Sequence, residues 1–511
     1  MKNLSILIIL LTFCLYSCQN STKQKEKEIT QVQFEENWES LAKINREPEW
    51  YKDAKFGIYF HWGVYSVPAY KTEWYPHRMY ISANEGKEGT VFNYHKKTYG
   101  GVDKFNYHDF IPMFTGEHFD AAKWADLFKE TGARFAGPVA QHHDGFAMWD
   151  SEVNPWNSKE KGPKKDILGD LFKELKKRDM NTIATFHHAR HLQRHVTDTA
   201  VWAHKGGKVG WGSHFPYSPE YITSTTDPEL SIFYGNMPKD KFHDFWLNQV
   251  NEVVDKYAPD IIWFDSWLDS IPENYRKRMV AHMYNTATSR GQEPIVAYKQ
   301  EDLPDNVGIL DIEQGGKTGL SDDYWLTDIT ISYSSWCYTN GQTYKDPALV
   351  IRNMIDVWSK KGIVLLNISP KANGIIPDEQ REVLKIIGNW INKHEEAVYD
   401  TRTFNTFGYG VAEFEKGHFG GQSATMKYTK NDIRFMTSTD KKQLYVYILG
   451  LPDENTELEI NAPISSKVKN VSVVGSDVDL QWLQTGEKLT ITTPQKTAMD
   501  EIATVFKVEL N

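Results

Sequence analysis

Between residues 45 and 395, short apolar runs alternate with amphipathic segments, and nearly every run closes on a polar side chain. The readable runs span 55–61, 135–141, 181–187, 261–265, 294–299, 307–313 and 362–368. Between them, segments such as 121–130, 167–178, 241–257 and 271–290 repeat apolar residues three and four apart, as helices do. Runs that are apolar throughout are those of strands buried on both faces, and strands alternating with helices form parallel sheets. The pattern predicts a (β/α)8, TIM-like barrel over 45–395, with seven of its eight strands placed.

In such a barrel the reacting groups gather at the C-terminal ends of the strands. Here those ends carry His61, His142 and His143, His187, Asp265, Lys299 and Glu313. The sharpest is Pro259-Asp260-Ile261-Ile262-Trp263-Phe264-Asp265-Ser266-Trp267, an apolar run that stops on one carboxylate wedged between aromatics. Taken alone, Asp265 reads equally well as a helix cap. The recurrence of polar residues at the same point of successive runs favours a pocket.

After residue 396 the texture changes to period-two alternation broken by Gly, Pro, Asn and Asp, at 424–428, 443–449, 458–460, 468–474, 489–492 and 503–510. This predicts an antiparallel β-sandwich over 396–511, without a catalytic constellation and suited to capping the barrel.

The N-terminus combines Met1-Lys2-Asn3, an apolar stretch over 4–16 and Leu15-Tyr16-Ser17-Cys18. It reads as a lipoprotein signal peptide over 1–18 with Cys18 as the lipidated residue, followed by a flexible tether and lead-in over 19–44. The expected location is outside the cytoplasm, anchored to a bacterial membrane by lipid alone and facing the periplasm or cell exterior. Cys14 belongs to the signal and Cys18 to the anchor, so Cys337 stands alone, no disulfide framework is available, and its thiol reads as buried structure. With 68 acidic against 58 basic residues the net charge is −10, which excludes nucleic acid as the main ligand. The 17 Trp supply indole faces of the kind that cover the apolar side of a sugar ring.

Four segments then converge: KFGIYFHWGVYSVPAYKTEWY at 55–75, QHHDGFAMWDS at 141–151, IIWFDSW at 261–267 and GIVLLNISPKANG at 362–374. Together they resemble the α-L-fucosidases of glycoside hydrolase family 29. The resemblance implies a retaining exo-hydrolase that removes terminal α-L-fucose from oligosaccharides or polysaccharides through a covalent fucosyl-enzyme, with no cofactor. Asp265 matches the family nucleophile, and Asp269 falls past the strand. The position of the acid/base varies within the family; Glu313 is favoured, with Glu301 as runner-up. His61, Glu73, Trp74, His142 and His143 match the sugar contacts. The sequence departs from the family at His187, where Tyr is common, at Lys299, where Arg is common, and at Ser266, where Gly is usual. His187 and Lys299, with Trp336, complete the candidate substrate contacts.

No metal is expected: adjacent histidines on a regular strand point to opposite sides, and no HxxxH or Cys partner backs them. The stretch 187–195, His-His-Ala-Arg-His-Leu-Gln-Arg-His, carries more base than a neutral sugar requires. It points to a sulfated or otherwise anionic neighbouring sugar, or else to a solvated loop with internal partners. Two other functions fit the residues: hydrolysis of a related sugar such as an α-L-galactoside, and a non-catalytic glycan-binding lipoprotein on a decayed barrel.

Overall fold

The structure, a computed structural model, describes residues 33–81, 85–193, 214–413, 415–417 and 422–511. The signal peptide with Cys18, most of the tether, and Arg194 and His195 of the basic stretch lie outside the described residues.

Eight parallel strands close into a barrel in chain order: β1 (Phe56–Phe60), β2 (Phe135–Gln141), β3 (Asn181–Phe186), β4 (Ile261–Phe264), β5 (Ile295–Lys299), β6 (Ile309–Asp311), β7 (Trp325–Thr330) and β8 (Gly362–Ile368). The seven expected strands are all present. The eighth is β7, WLTDIT, whose Thr327, Asp328 and Thr330 break the apolar run that marks the others. Those polar groups are buried and find partners in the fold: Thr327 Oγ1 donates to the Ile312 carbonyl at 2.7 Å and Asp328 Oδ2 accepts from Tyr59 Oη at 3.0 Å, while Asp328 Oδ1 has no hydrogen-bond partner among the described residues.

The two-residue period of the strands sorts the side chains. Tyr59, Ile183, Ile261, Trp263, Ala297, Ile309, Leu326 and Leu365 fill the barrel interior. Their neighbours Ile58, Ala184, Ile262, Phe264, Val296 and Leu366 face outward into the helical layer. Both faces are therefore dry, which is why the runs read as continuously apolar. At β2 the ladder tolerates no side chain at Gly137, where an added Cβ would lie 1.7 Å from the Ile183 carbonyl oxygen.

Outside the strands pack α1 (Ala121–Glu130), α2 (Ile167–Lys176), α3 (Lys239–Tyr257), α4 (Glu273–Ser289), α5 (Pro347–Ser359) and α6 (Asp378–Lys393). Asp120 and Asp166 cap the first two by accepting from Lys123 N and Gly169 N. The strict alternation of strand and helix needs correction at two places. The β5–β6 and β6–β7 links hold no helix, and their sequences, with Pro304 in one and Gly315, Gly316 and Gly319 in the other, are poor helix formers. Ahead of the barrel, Phe34 is buried and its backbone N–H donates to Asn285 Oδ1 at 2.7 Å.

The C-terminal strands form two antiparallel sheets. The larger runs β13 (Val468–Val473), β16 (Thr504–Leu510), β11 (Gln443–Ile448), β10 (Ile433–Ser438), β9 (Thr401–Tyr409); the smaller runs β12 (Glu457–Ile460), β15 (Lys488–Thr492), β14 (Trp482–Thr485). Phe435, Val446, Ile460, Ile491 and Phe506 share the core between them. On the far side of the larger sheet, Met436, Tyr445 and Tyr447 join the core of the barrel helices. Arg434 Nε donates to Asp356 Oδ1 of α5 at 2.6 Å, and Lys360 Nζ contacts the other oxygen at 2.8 Å, so one buried carboxylate ties the sheet to the barrel. The run at 424–428 is not a strand: Ala424, Met426 and Tyr428 are buried alternately against the barrel, while Ala424 N donates to the Gln314 carbonyl instead of to a ladder.

Candidate active site

The strand period carries the interior face upward past the last ladder bond. His61 continues Tyr59, Asp265 continues Trp263, Lys299 continues Ala297, Asp311 and Glu313 continue Ile309, and Asp328 continues Leu326. All of these but the fully buried Asp311 meet in a pocket of about 360 Å³ lined also by Glu73, Trp74, Arg78, His142, His143, His187, Arg190, Ser266, Trp267 and Trp336.

Lys299 organises the carboxyl groups. Its Nζ, almost fully buried, lies 2.9 Å from Glu313 Oε2, 3.2 Å from Asp265 Oδ1, 3.2 Å from Asp328 Oδ2 and 3.9 Å from Asp311 Oδ2. Burial opposes its charge, but Asp328, Glu313 and Asp265 override that and push its pKa well above the usual lysine value. The same ammonium separates the two carboxyls beside it. Burial works to raise Asp265, yet Lys299 and the His143 contact hold it well below the ordinary carboxylate range. Burial, helped by Asp328 and Asp265, pushes Glu313 up against the pull of Lys299. One carboxyl is held ionised and the other is biased towards its protonated form. Through their shared contact, the nearest oxygens of Asp265 and Glu313 lie no more than about 6 Å apart.

The histidines form the floor. The His61 backbone N–H and Nδ1–H both donate to Asn367 Oδ1, at 3.0 and 2.8 Å; the Asn367 amide is oriented by its own donation to Thr330 Oγ1 and the Trp336 carbonyl. Nε2 of His61 is thereby left as an acceptor. His143 Nδ1 donates to the His187 carbonyl, and its Nε2 stands 3.4 Å from Asp265 Oδ2. Burial lowers the pKa of His61 to about 4 and those of His142 and His187 well below the usual value, so these rings are neutral. Glu73 Oε2 accepts from Ser335 Oγ at 3.0 Å and from Trp336 N at 3.3 Å, which aligns Trp336 beside His61 at 5.4 Å between ring centroids.

His142 and His143 do not point to opposite sides. The β2–β3 register shifts between Val139 and Gln141, both histidines follow the strand end, and their rings lie 4.5 Å apart in one pocket. Among the described residues, His61, His142 and His187 each offer a ligand atom, all within 4.8 Å of one another, and are the residues able to hold a metal. Three neutral imidazoles at that spacing are equally placed to bond the hydroxyls of a sugar ring.

Every expected sugar contact lines the pocket, as do Asp265 and Glu313. Glu301 does not: it is exposed and lines a separate depression with Trp38, Glu273 and Arg276. The basic stretch is not a solvated loop over its described part. His188 and His191 are buried, the latter bonded through Nε2 to the Phe233 carbonyl, and only His187 and Arg190 reach the pocket. Asp328 was missed because its strand was; Arg78 sits one turn after Trp74, where a helical i, i+4 spacing could have found it. Cys337 is buried and its thiol pKa is pushed up by burial, as befits a structural residue.

The Alpha-L-fucosidase family profile matches residues 21–396, and the Alpha-L-fucosidase C-terminal domain profile matches 426–509. The chain is 26% identical to the tissue alpha-L-fucosidase of Rattus norvegicus over 459 residues, covering 88% of this chain and 86% of that one. It is 28% identical to the plasma alpha-L-fucosidase of Homo sapiens over 391 residues, covering 73% and 74%. Among solved structures it is similar to the Thermotoga maritima alpha-fucosidase in complex with fucose, with a TM-score of 0.69 at 28% identity, covering 93% of this chain and 100% of that one.

Proposed function

The chain belongs to the alpha-L-fucosidase family of glycoside hydrolases, and from that premise we propose a retaining exo-mechanism with Asp265 as nucleophile and Glu313 as acid/base. In the first step Asp265 bonds to the anomeric carbon of fucose as the bond to the glycosidic oxygen breaks, and Glu313 gives that oxygen its proton. In the second, Glu313 takes a proton from water, whose oxygen displaces Asp265.

The observation that carries this reading is the shared Lys299 contact. It keeps the nearest oxygens of the two carboxyls within about 6 Å, which favours the close pair of a retaining enzyme over the roughly 6.5–9.5 Å that an inverting enzyme leaves for its water. The opposed pKa shifts of Asp265 and Glu313 match the two roles, base-like attack by one and proton donation by the other. The pocket floor is closed by buried histidines, which supports binding of a terminal sugar. The substrates are glycans outside the cytoplasm, with the protein exported and lipid-anchored through Cys18; the Leu-Tyr-Ser-Cys ending of the apolar leader supports this. Incorporation of labelled palmitate that disappears in Cys18→Ala tests the anchor.

Hydrolysis of an aryl α-L-fucoside by wild type, Asp265→Ala and Glu313→Ala, each with azide, tests the mechanism. Glu313→Ala is expected to fall on the order of 10²–10⁴-fold and to be rescued to an α-fucosyl azide. Asp265→Ala is expected to be inactive and, if rescued, to yield the β product. Wild-type activity in Asp265→Ala would overturn the assignment.

A further inference from the structure

We propose that the rim of the pocket holds a subsite for an anionic group, a sulfate ester or uronate carboxylate, on the sugar from which fucose is released, with Arg190 as its main contact and Arg78 as its second. The placement rests on the exo-fucosidase reading, because it needs to know which end of the pocket the remaining glycan occupies. Side-chain access gives that direction. His61, His142, His143, His187 and Lys299 are buried at the floor, whereas Trp74, Arg190 and Trp267 are half-buried and Arg78 is exposed. A terminal sugar seated against the histidines leaves its neighbour among the latter four.

Arg190 ends the short helical turn His188–Arg190 just past β3. Its guanidinium lies between two indoles, 5.3 Å from the ring centroid of Trp74 and 5.3 Å from that of Trp267. Trp267 reaches this position with φ +72°, a left-handed conformation that a bulky side chain rarely adopts and that is retained where the surrounding structure requires it. Flat aromatic walls fix the plane of the guanidinium while leaving its edge free to bond an anion in two places.

Among the described residues the edge has no partner to lose. Arg190 Nε is buried without a hydrogen-bond acceptor, and neither Arg190 nor Arg78 has an ion pair among the described residues. The other buried and half-buried arginines are spoken for. Arg46, Arg178, Arg402 and Arg434 bind carboxylates, and Arg276 and Arg352 donate to carbonyls. Burial draws the pKa of Arg190 down to about 10, which leaves it charged at neutral pH. A cation half withdrawn from water without a directly paired counter-ion is costly, and an anion on the substrate would relieve that cost only when bound. Asp265, Glu313 and Asp302 also lie in the field of Arg190 without pairing with it, and Lys299 already stands in direct contact with the first two. A role confined to steadying those carboxyls would act equally on neutral and anionic substrates.

That difference sets the experiment. The full chain is assayed on an aryl α-L-fucoside and on three fucosyl disaccharides identical except for a neutral, sulfated or uronic acid second sugar. Wild type, Arg190→Gln, Arg190→Lys and Arg78→Gln are compared. Wild type should prefer an anionic disaccharide to the neutral one by on the order of tenfold or more in kcat/KM, and the preference should shrink as ionic strength rises. Arg190→Gln should bring the ratio near one, Arg190→Lys should restore part of it, and Arg78→Gln should lower it less. The better of the two anionic arms identifies the group. A wild-type ratio near one, or a preference that survives in Arg190→Gln, overturns the subsite. Should Arg190→Gln not fold, an anion preference unmoved by both Arg78→Gln and added salt overturns it as well. A wild type that cleaves the aryl fucoside yet ignores the anion sinks the subsite alone; one that does not cleave it sinks the fucosidase reading.

Discussion

Replacing Lys299 with Met removes the one charge that, among the described residues, touches both proposed catalytic carboxyls. The side chain is 2% exposed, and its partners Asp265 and Glu313 are 15% and 16% exposed, so solvent screens the contacts weakly. At an effective dielectric of about 20, a unit pair at the 3.2 Å separation of Lys299 and Asp265 is worth roughly 5 kcal/mol. Breaking one side of a buried pair costs about 3–5 kcal/mol in practice. At about 1.4 kcal/mol per tenfold in rate, kcat/KM on an aryl α-L-fucoside should drop on the order of 10²–10⁴-fold. The pH profile carries a more specific signature. Lys299 holds Asp265 low, so its removal raises the pKa of the group that must be ionised, and the acidic limb moves to higher pH. Lys299 also pulls Glu313 down, so its removal raises the pKa of the group that must be protonated, and the basic limb moves the same way. Lys299→Arg keeps the charge and should retain most of the activity. Activity within tenfold of wild type in Lys299→Met, with both limbs unmoved, would refute the reasoning; equal damage from Lys299→Arg would show that shape rather than charge matters there.

Glu301→Ala, altering an exposed residue in a separate depression, should leave kcat/KM within about twofold, and an azide-rescuable loss would instead make it the acid/base. Asp144 is buried, accepts from Tyr107 Oη at 2.6 Å, and has its pKa raised by burial to about 7. Its folded pKa exceeds its unfolded one, so its contribution to stability is complete below about pH 4 and is lost as the pH rises through about 7. Asp144→Asn should therefore gain Tm relative to wild type across that interval, and a difference independent of pH would contradict the burial argument. Arg434→Met strips one of two cations from buried Asp356 and should destabilise the protein by roughly 3 kcal/mol in thermal or denaturant unfolding, with unchanged kcat/KM for the folded fraction. A loss of activity without a loss of stability would mean that the contact reaches the pocket.

Much of this protein is local in origin and so was legible in the sequence. Strands buried on both faces must be apolar throughout, which made seven of the eight visible, and the two-residue period then carries Trp263 to Asp265, Tyr59 to His61 and Ala297 to Lys299 onto one inward face. The eighth strand was hidden because β7 carries polar groups whose partners, Ile312, Tyr59 and Lys299, come from elsewhere in the chain; Asp328 was hidden with it. The same limit separates the two glutamates. Glu313 and Glu301 both fall in phase with an inward face, two residues after Asp311 and Lys299 respectively. Gln300 takes φ +58°, turning the chain outward before Glu301 can join the pocket, whereas Glu313 stays in contact with Lys299. Periodicity determines which side a residue faces while the strand lasts. Where the strand ends, and which distant charges meet there, is decided by barrel closure, because the contacts that choose between those carboxyls do not exist until the strands are side by side.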